Sequence, residues 1–463
     1  MSTSPSSKRQ ADLELFTGWG KGSSSAARVA HVETQEDLER TVMSAHESST
    51  PILARGLGRS YGDAAQCAGG ILLDCTALDR VIAADFDAGL LRVEAGISLD
   101  ALLRLVVPRG WFVPVTPGTR QVTVGGAIAA DVHGKNHHRD GGFGAHVERL
   151  ALVTGHGRIE LSPEEEPELY WATVGAMGLT GAIAEATVRL RPIETALMVV
   201  DTDRTADLEQ CMAQLAAGDD RYRYSVAWVD CVARGRHLGR AVISRGDHAR
   251  LADLSPRQEL HALKYRARVP FDLSVTPPIN LVSPAAIAAW NGLWYRKAPT
   301  RRAGELQSIA SFFHPLDAIG SWNRLYGPRG FTQYQLVVPF GAEATVRKVI
   351  ESLQRAGVSS SLAVLKRFGV ADPAPLSFPI AGWTLALDLP LDRPDIGLIL
   401  DEIDDLVADA GGRVYLAKDG RLRPELFDAM YPRAKEWLAT RERLGLDETF
   451  VSDLSRRLRA LQS

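Results

Sequence analysis

Pro117-Gly118-Thr119-Arg120-Gln121-Val122-Thr123-Val124-Gly125-Gly126-Ala127-Ile128-Ala129-Ala130-Asp131-Val132-His133-Gly134-Lys135-Asn136-His137-His138 is the stretch on which the reading of this chain turns. Between Thr123 and Ala129 small residues fall on successive turns, so the backbone can lie flat against a ligand. Glycine has no Cβ, which lets backbone N–H groups approach a phosphate or a flat ring. A second bend, Arg55-Gly56-Leu57-Gly58-Arg59-Ser60-Tyr61-Gly62-Asp63, lies upstream. The pair suggests one extended dinucleotide held at two places. Neither bend fits the Gly-x-Gly-x-x-Gly opening of a Rossmann helix, and no Gly-Lys-Ser/Thr of the P-loop type occurs.

The chain's 463 residues predict two or three domains. A hydrophobic fraction of 45% and a charged fraction of 24% are those of a globular protein. The net charge of -3 argues against nucleic acid as a partner, because phosphate backbones need a basic field. Cys67, Cys75, Cys211 and Cys231 lack metal-ligand spacing and read as buried thiols in a reducing compartment. The polar, Ser-rich start has no apolar signal and is expected to be a disordered tail over residues 1–14, which places the protein in the cytoplasm.

Residues 273–295 carry no charge, enough length to span a bilayer, yet Pro277, Pro278 and Pro284 are expected to break a helix there. Lys264, Arg266 and Arg268 precede this stretch, and Arg296, Lys297, Arg301 and Arg302 follow it. It reads either as an irregular mobile lid over about 265–300 that touches lipid and draws anionic headgroups with its basic flanks, or as a long packed loop.

Strands are predicted over 51–54, 71–74, 91–95 and 182–190, with a hairpin pairing 150–153 with 158–161. A helix is predicted over 99–107 with Ser98 as its N-cap, and another over 169–173. After Arg191-Pro192 the texture changes. Strands at 224–230, 239–244, 332–339, 359–366 and 383–389 alternate with helices at 342–356 and 396–410, the latter ended by Gly411-Gly412. This predicts an α+β protein with an N-terminal unit over 15–195, a sheet with helices on one face over 196–410, and a mainly helical C-terminal segment over 411–463.

His133 and His137 stand at metal-ligand spacing on a helix, but the third ligand is missing, so no metal is expected. An isolated lysine such as Lys418 is usually solvated.

The two glycine bends together, Arg-Gly-x-Gly-Arg-Ser-Tyr-Gly-Asp and Pro-Gly-Thr…Thr-Val-Gly-Gly-Ala-Ile, resemble the vanillyl-alcohol-oxidase-type FAD-binding family. The run Gly175-Ala176-Met177-Gly178-Leu179-Thr180-Gly181-Ala182-Ile183 is similar to that family's third flavin-contacting stretch. The resemblance implies a two-domain α+β flavoprotein of the vanillyl-alcohol-oxidase/PCMH type, with an FAD-binding α+β domain and an antiparallel-sheet substrate domain. It implies FAD contacts from Arg55, Gly56, Leu57, Gly58, Arg59, Ser60 and Tyr61 in the first bend, and from Gly118, Thr119, Thr123, Gly125, Gly126 and Ala129 in the second. Gly178, Ile183 and Tyr415 complete the set. Many relatives tether FAD through a histidine in the first bend; Arg59 holds that place here, which implies noncovalent FAD.

Further segments narrow the resemblance to the polyprenylphosphoryl-ribose oxidases of that family: Trp294-Tyr295-Arg296-Lys297, His314-Pro315-Leu316-Asp317, Gln333-Tyr334-Gln335, Lys366-Arg367-Phe368-Gly369, Phe378-Pro379-Ile380 and Ala417-Lys418-Asp419. This implies oxidation of the ribose 2-hydroxyl to a 2-keto sugar, the first half of an epimerisation towards an arabinose donor for cell-wall arabinan. By the same resemblance Lys418 and His133 are catalytic, and Tyr61, Lys135, Trp228, Phe313, Gln335, Lys366, Thr384 and Ala386 line the substrate pocket. The implied partners are a polyprenyl-phosphate sugar, a short-chain NADH-dependent 2-keto reductase, a quinone or oxygen as electron acceptor, and the membrane surface, met from the cytoplasm or the periplasmic face. Phe313, Thr384 and Ala386 depart from the tyrosine, asparagine and cysteine usual at those places, which bears on sugar specificity. Two other readings stand beside this one: an oxidase of a soluble sugar, alditol or nucleotide sugar, and a catalytically weak flavin-binding subunit.

Overall fold

The computed structural model describes residues 13–446 and 449–459. Most of the tail expected over 1–14 lies outside them, and Glu14 already opens a strand, Glu14–Thr17. That strand edges a four-stranded sheet that continues through Ser24–His31, Ile71–Asp74 and Ile52–Arg55. The last three run parallel, because the helix Gln35–Glu47 carries the chain back across the sheet. Thr34 caps that helix by accepting from the Asp37 N–H at 3.1 Å, and Leu38, Val42 and Ala45 form its buried face.

A five-stranded antiparallel sheet follows, in the order Val81–Asp85, Leu90–Glu94, Ala182–Arg189, Val147–Thr154 and Gly157–Leu161. Ile52 and Leu73 of the first sheet share a core with Ala151, Val153 and Ala182 of the second. The expected helix forms as Leu99–Val106 with Ser98 accepting from the Ala101 N–H.

The rest of the chain is built on an eight-stranded antiparallel sheet. Its order is Arg301–Ser308, Leu197–Thr205, Ala241–His248, Tyr224–Val229, Ala363–Phe368, Gly382–Pro390, Phe331–Pro339 and Arg413–Val414. Side chains alternate across a strand. Leu365, Leu385, Leu387, Leu336 and Val338 therefore point to one face, where they bury the apolar stripes of the helices Leu208–Ala216, Glu343–Arg355 and Ile396–Asp409. Their neighbours in sequence, Lys366, Thr384, Ala386 and Gln335, must point to the other face. Among the described residues that face is met by the N-terminal half, through contacts such as that of Gln335 with His133.

The edge strand Arg301–Ser308 and its neighbour Leu197–Thr205 escape sequence reasoning, since charged and exposed residues hide their alternation. Helix Ile396–Asp409 ends where expected: Gly411 takes φ +69°, and Gly412 N–H donates to Val407 O at 2.8 Å. The chain then adds the edge strand Arg413–Val414 and returns to the N-terminal half. There Trp437 Nε1 donates to Ala172 O at 2.7 Å, and Ile52 exchanges backbone hydrogen bonds with Thr449 and Val451.

The uncharged stretch 273–295 corrects one expectation. Pro284 does not break a helix there but starts one, Pro284–Lys297, with Ser283 accepting from the Ala286 N–H. Proline suits a first helical position, whose N–H has no intrahelical acceptor. Among the described residues no helix is long and apolar enough to cross a membrane.

The junction between the halves contains a buried carboxyl pair. Asp131, in the left-handed region at φ +38°, accepts from Gly144 N–H at 3.1 Å and from the Ser377 hydroxyl, and it hydrogen-bonds to Asp372. Burial, reinforced by the Asp372 charge, pushes the Asp131 carboxyl up to about 8. The folded protein thus holds a proton that the unfolded chain releases above roughly pH 4, and stability falls as pH rises from there to about 8. Asp131→Asn keeps the acceptor for Gly144 and removes the charge. Its melting temperature is expected to exceed the parent's by about 2 °C at pH 8.5, and to show no gain at pH 4.5; thermal melts at both pH values check this, and an equal difference at the two contradicts it.

Candidate active site

Three glycine segments meet at one place. A Cβ on Gly56 would lie 2.3 Å from Thr123 Oγ1, so the first bend rests directly on the second. Thr123 Oγ1 also caps the short helix Val124–Ala129 by accepting from Gly126 N–H at 3.1 Å. Gly126 itself is exposed, and Gly125 N–H donates to Ala95 O at 2.7 Å. The third segment docks on the end of this helix, with Gly175 N–H donating to Ile128 O and Met177 N–H to Ala129 O. Met177 and Gly178 both take positive φ, +54° and +80°.

The two arginines of the first bend stiffen it. The Arg55 guanidinium donates to Thr17 O at 3.0 Å and to Ala65 O. Arg59 lies 3.8 Å from the Trp19 ring centroid, and its Nε donates to Gln121 O at 3.0 Å, tying the first bend to the second. By contrast, the backbone N–H groups of Gly56, Leu57, Gly58, Arg59 and Ser60 donate to no acceptor among the described residues. Thr119 donates from its hydroxyl to Asp317 at 2.7 Å beside the exposed Gly118, and Ile183 is buried in the strand below the cradle.

The bare face of the eight-stranded sheet stands opposite. Its register puts Trp228, Val364, Ala386 and Gln335 in one cross-strand row, and Lys366, Thr384 and Val337 in the next. Gln335 Nε2 donates to His133 Nε2 at 2.8 Å and lies 3.1 Å from Thr384 Oγ1, whose hydroxyl donates to Leu336 O at 2.8 Å. This assigns the His133 ring proton to Nδ1, which is buried and has no partner among the described residues. The ring is held by Phe368, Tyr415 and Phe378 at centroid distances of 4.7, 5.1 and 5.6 Å. Tyr415 in turn donates from its hydroxyl to Ala130 O at 2.7 Å. Burial, with Lys366 adding to it, holds His133 far below the usual imidazole range, so the ring is neutral.

Lys418 closes the cleft from a third side. Its Nζ lies 3.8 Å from the Tyr61 ring centroid, and the Tyr61 N–H donates to Ala417 O at 2.9 Å. Burial lowers the Lys418 ammonium to about 7, with Asp388 opposing and Lys366 adding to the shift. Lys366 falls to about 8 through burial, and Lys135 to about 7 through burial and the Lys366 charge. Lys366, Lys418 and Tyr61 nevertheless keep part of their surface open to solvent. Asp388 supplies the facing carboxylate, itself pushed up to about 7 by burial and held by Gln333 Nε2. Sequence reasoning missed Asp388; its one signal is a carboxylate inside an otherwise apolar strand.

Not every expected residue reaches the cleft. Phe313 is 2% exposed and packs behind Lys135, between Phe112 at 5.1 Å and Tyr224 at 4.8 Å. It belongs to the aromatic core, and Lys135 donates to the neighbouring Phe312 O. His137 and His138, never expected in the pocket, make contacts of their own: His137 Nδ1 accepts from Gly369 N–H at 3.2 Å, and His138 Nε2 contacts Tyr222 O at 3.0 Å.

A flavin dinucleotide fits this arrangement. The Cβ-free bends give a backbone surface with free N–H groups for a pyrophosphate, and the unpartnered His133 Nδ1 lies where the second bend ends. Residues 26–162 match the profile of an FAD binding domain, and the protein is an FAD-dependent oxidoreductase with the α+β vanillyl-alcohol-oxidase-type fold. The chain is 44% identical over 448 residues, 96% of its own length and 97% of the relative's, to the decaprenylphosphoryl-β-D-ribose oxidase of Mycolicibacterium smegmatis. It is 40% identical over 369 residues to an uncharacterised protein of Streptomyces coelicolor, covering 78% of this chain and 100% of that one. A more distant likeness, 26% over 216 residues, covers 46% of this chain and 49% of the L-gulono-1,4-lactone dehydrogenase of Mycobacterium tuberculosis. The chain belongs to the decaprenylphosphoryl-β-D-ribose oxidase family.

Gly56→Ala forces the two bends apart against Thr123. The purified variant is expected to hold at least about tenfold less FAD per chain at equal free FAD, a loss of roughly 1.4 kcal/mol in binding. Flavin absorbance against protein absorbance measures it, with circular dichroism to confirm an unchanged fold; full occupancy contradicts the cradle.

Proposed function

We propose that the protein oxidises the 2-hydroxyl of a polyprenylphosphoryl-β-D-ribose to the 2-keto sugar, with FAD held noncovalently. The observation that carries this reading is the charge on the cleft floor: Lys366 acts electrostatically on both Lys135 and Lys418, and Asp388 is the carboxylate that faces Lys418. A buried ammonium without a full counter-charge favours an anionic ligand, and a sugar phosphate brings one. The name of the M. smegmatis relative, an oxidase of decaprenylphosphoryl ribose, supports the same substrate class.

Oxidation of a secondary alcohol removes a hydride from carbon and a proton from oxygen. FAD, when bound, supplies the two-electron acceptor. Lys418 Nζ takes the hydroxyl proton, because an amine lowered to about 7 is substantially neutral at physiological pH. Lys366 and Lys135 hold the phosphate, and Gln335 fixes the His133 ring and its tautomer. The walls of Trp228 and Tyr61 flank the sugar. The 2-keto product is a substrate for a short-chain NADH-dependent reductase, which would complete an epimerisation to the arabinose configuration. A quinone or oxygen would serve as the final electron acceptor.

The anaerobic test is flavin bleaching. Polyprenylphosphoryl ribose is expected to bleach the flavin with a rate that rises through pH 7, as Lys418 loses its proton. Lys418→Met should keep its FAD, lose the limb and slow bleaching by about 10²-fold or more. Bleaching by free sugars, alditols or nucleotide sugars alone would point to a soluble substrate, and no bleaching by any would leave a flavin-binding subunit.

The segment over about 265–300 supports a peripheral seat on an anionic bilayer. Val275 and Ile279 are 74% and 66% exposed, Trp290 and Leu293 are each 59% exposed, and Trp290 stacks with Trp294 at 6.3 Å. The basic residues on either side provide the attraction to headgroups. Trp290→Ser with Leu293→Ser is expected to reduce cosedimentation with vesicles containing anionic lipid at least about fivefold, roughly 1 kcal/mol, with activity on detergent-dispersed substrate retained. Unchanged cosedimentation contradicts the seat.

A further inference from the structure

We propose that Arg457 is a positioning residue for Lys418: through Asp63 and Asp419 it clamps the turn that carries the lysine to the first glycine bend. The proposal rests on the reading of Lys418 as proton acceptor. Arg457 meets Asp63 with a two-pronged fork, Nε to Oδ2 and Nη2 to Oδ1, both at 2.9 Å. The same Nη2 donates to Asp419 Oδ2 at 2.8 Å, and Nη1 donates to Leu422 O at 2.7 Å. Asp63 ends the first bend and Asp419 directly follows Lys418. One guanidinium thus joins the segment expected to hold the cofactor to the segment that carries the base.

The fit leaves little slack. A Cβ on Gly62 would lie 1.7 Å from Asp419 O, so the two backbones touch. Asp419 Oδ1 is used separately, accepting from Arg421 N–H at 2.9 Å and Leu422 N–H at 2.8 Å, which shapes the turn itself. The helix that bears Arg457, Asp453–Leu458, is anchored by the buried Leu454 and Leu458 and by Asp453, which accepts from Ala68 N–H at 2.8 Å. Residues near the end of the chain, remote in sequence from both bends, are therefore part of the catalytic geometry.

A tie that served the C-terminus alone would change stability and FAD retention together and leave the titration of Lys418 where it is. A clamp on Lys418 makes a different pattern. Lys418 is faced by Asp388 on the strand Gly382–Pro390, by Lys366 on Ala363–Phe368, by Tyr61 on the first bend and by His133. Asp63, Asp419 and Arg457 together carry one net negative charge, and Asp419 is the next residue along the chain from Lys418. Arg457→Met leaves two negative charges, which stabilise the ammonium and move the pH midpoint of flavin reduction upward. Asp419→Asn leaves none and moves it downward, while keeping the Oδ1 acceptor and the Asp63–Arg457 fork. Arg457→Lys keeps the charge without the fork, so it holds the parent's midpoint at a lower rate.

The experiment is anaerobic flavin reduction by polyprenylphosphoryl ribose across pH, with FAD-loaded parent, Arg457→Met, Arg457→Lys and Asp419→Asn, each normalised to bound flavin. We expect kcat to fall about tenfold or more in the Arg457 variants, in keeping with small misplacement of a reacting group, while KM changes less than about threefold. Midpoints should shift in opposite directions for Arg457→Met and Asp419→Asn. Unmoved midpoints with kcat within about twofold of the parent would overturn the clamp. If Arg457→Met does not fold, Asp419→Asn decides alone by the direction of its shift. A parent lacking a Lys418-dependent limb would remove the reading of Lys418 and the clamp with it; a parent limb that the variants leave in place would remove the clamp only.

Discussion

The 2.8 Å hydrogen bond from Gln335 to His133 joins a sheet face to a glycine-rich segment, and the site depends on that junction. The eight-stranded sheet commits one face to three helices, so its other face needs a different cover. A cover of bulky side chains would fill the space. A cover of glycine and alanine leaves a cleft, with backbone N–H groups on one wall and sheet side chains on the other. Gln335 sets the separation of the walls, and by donating to Nε2 it also fixes which nitrogen of His133 keeps its proton.

The electrostatics follow from the same geometry. Three lysines project from different elements, Lys135 from the second bend, Lys366 from the sheet and Lys418 from the C-terminal turn, into a space that excludes much of the solvent. Desolvation lowers each of them, and their mutual repulsion lowers Lys135 and Lys418 further. The neutral amine needed for a base and the positive field needed for a phosphate therefore have one origin. Asp388 keeps Lys418 from falling lower still, which holds it near neutrality.

Much of this was legible in the sequence. The paired glycine bends announced a cofactor cradle because only residues without bulk allow Gly56 to rest on Thr123. Gln335, Lys366 and Thr384 entered by resemblance, and the strand register then sets them on one face. Resemblance brought in Lys418, which looks solvated when read alone. Three features were not legible. Asp388 has no motif, since its significance comes from facing Lys418 across the fold. Phe313 was expected in the pocket, yet an aromatic residue beside His314 is equally at home in the core, where Phe112 and Tyr224 hold it. Pro284 was read as a helix breaker because sequence does not say whether a proline falls at the start of a helix or inside one.

In the proposed reaction the bond broken is the ribose C2–H, with the neighbouring hydroxyl proton taken within the lysine-lined cleft. Anaerobic flavin bleaching with polyprenylphosphoryl ribose deuterated at C2 tests it most directly. Bleaching is expected to be slower with the C2-deuterated substrate than with the unlabelled one, with no slowing when deuterium is placed at C3. Equal rates for the C2 label and the unlabelled substrate, or slowing confined to the C3 label, would contradict it.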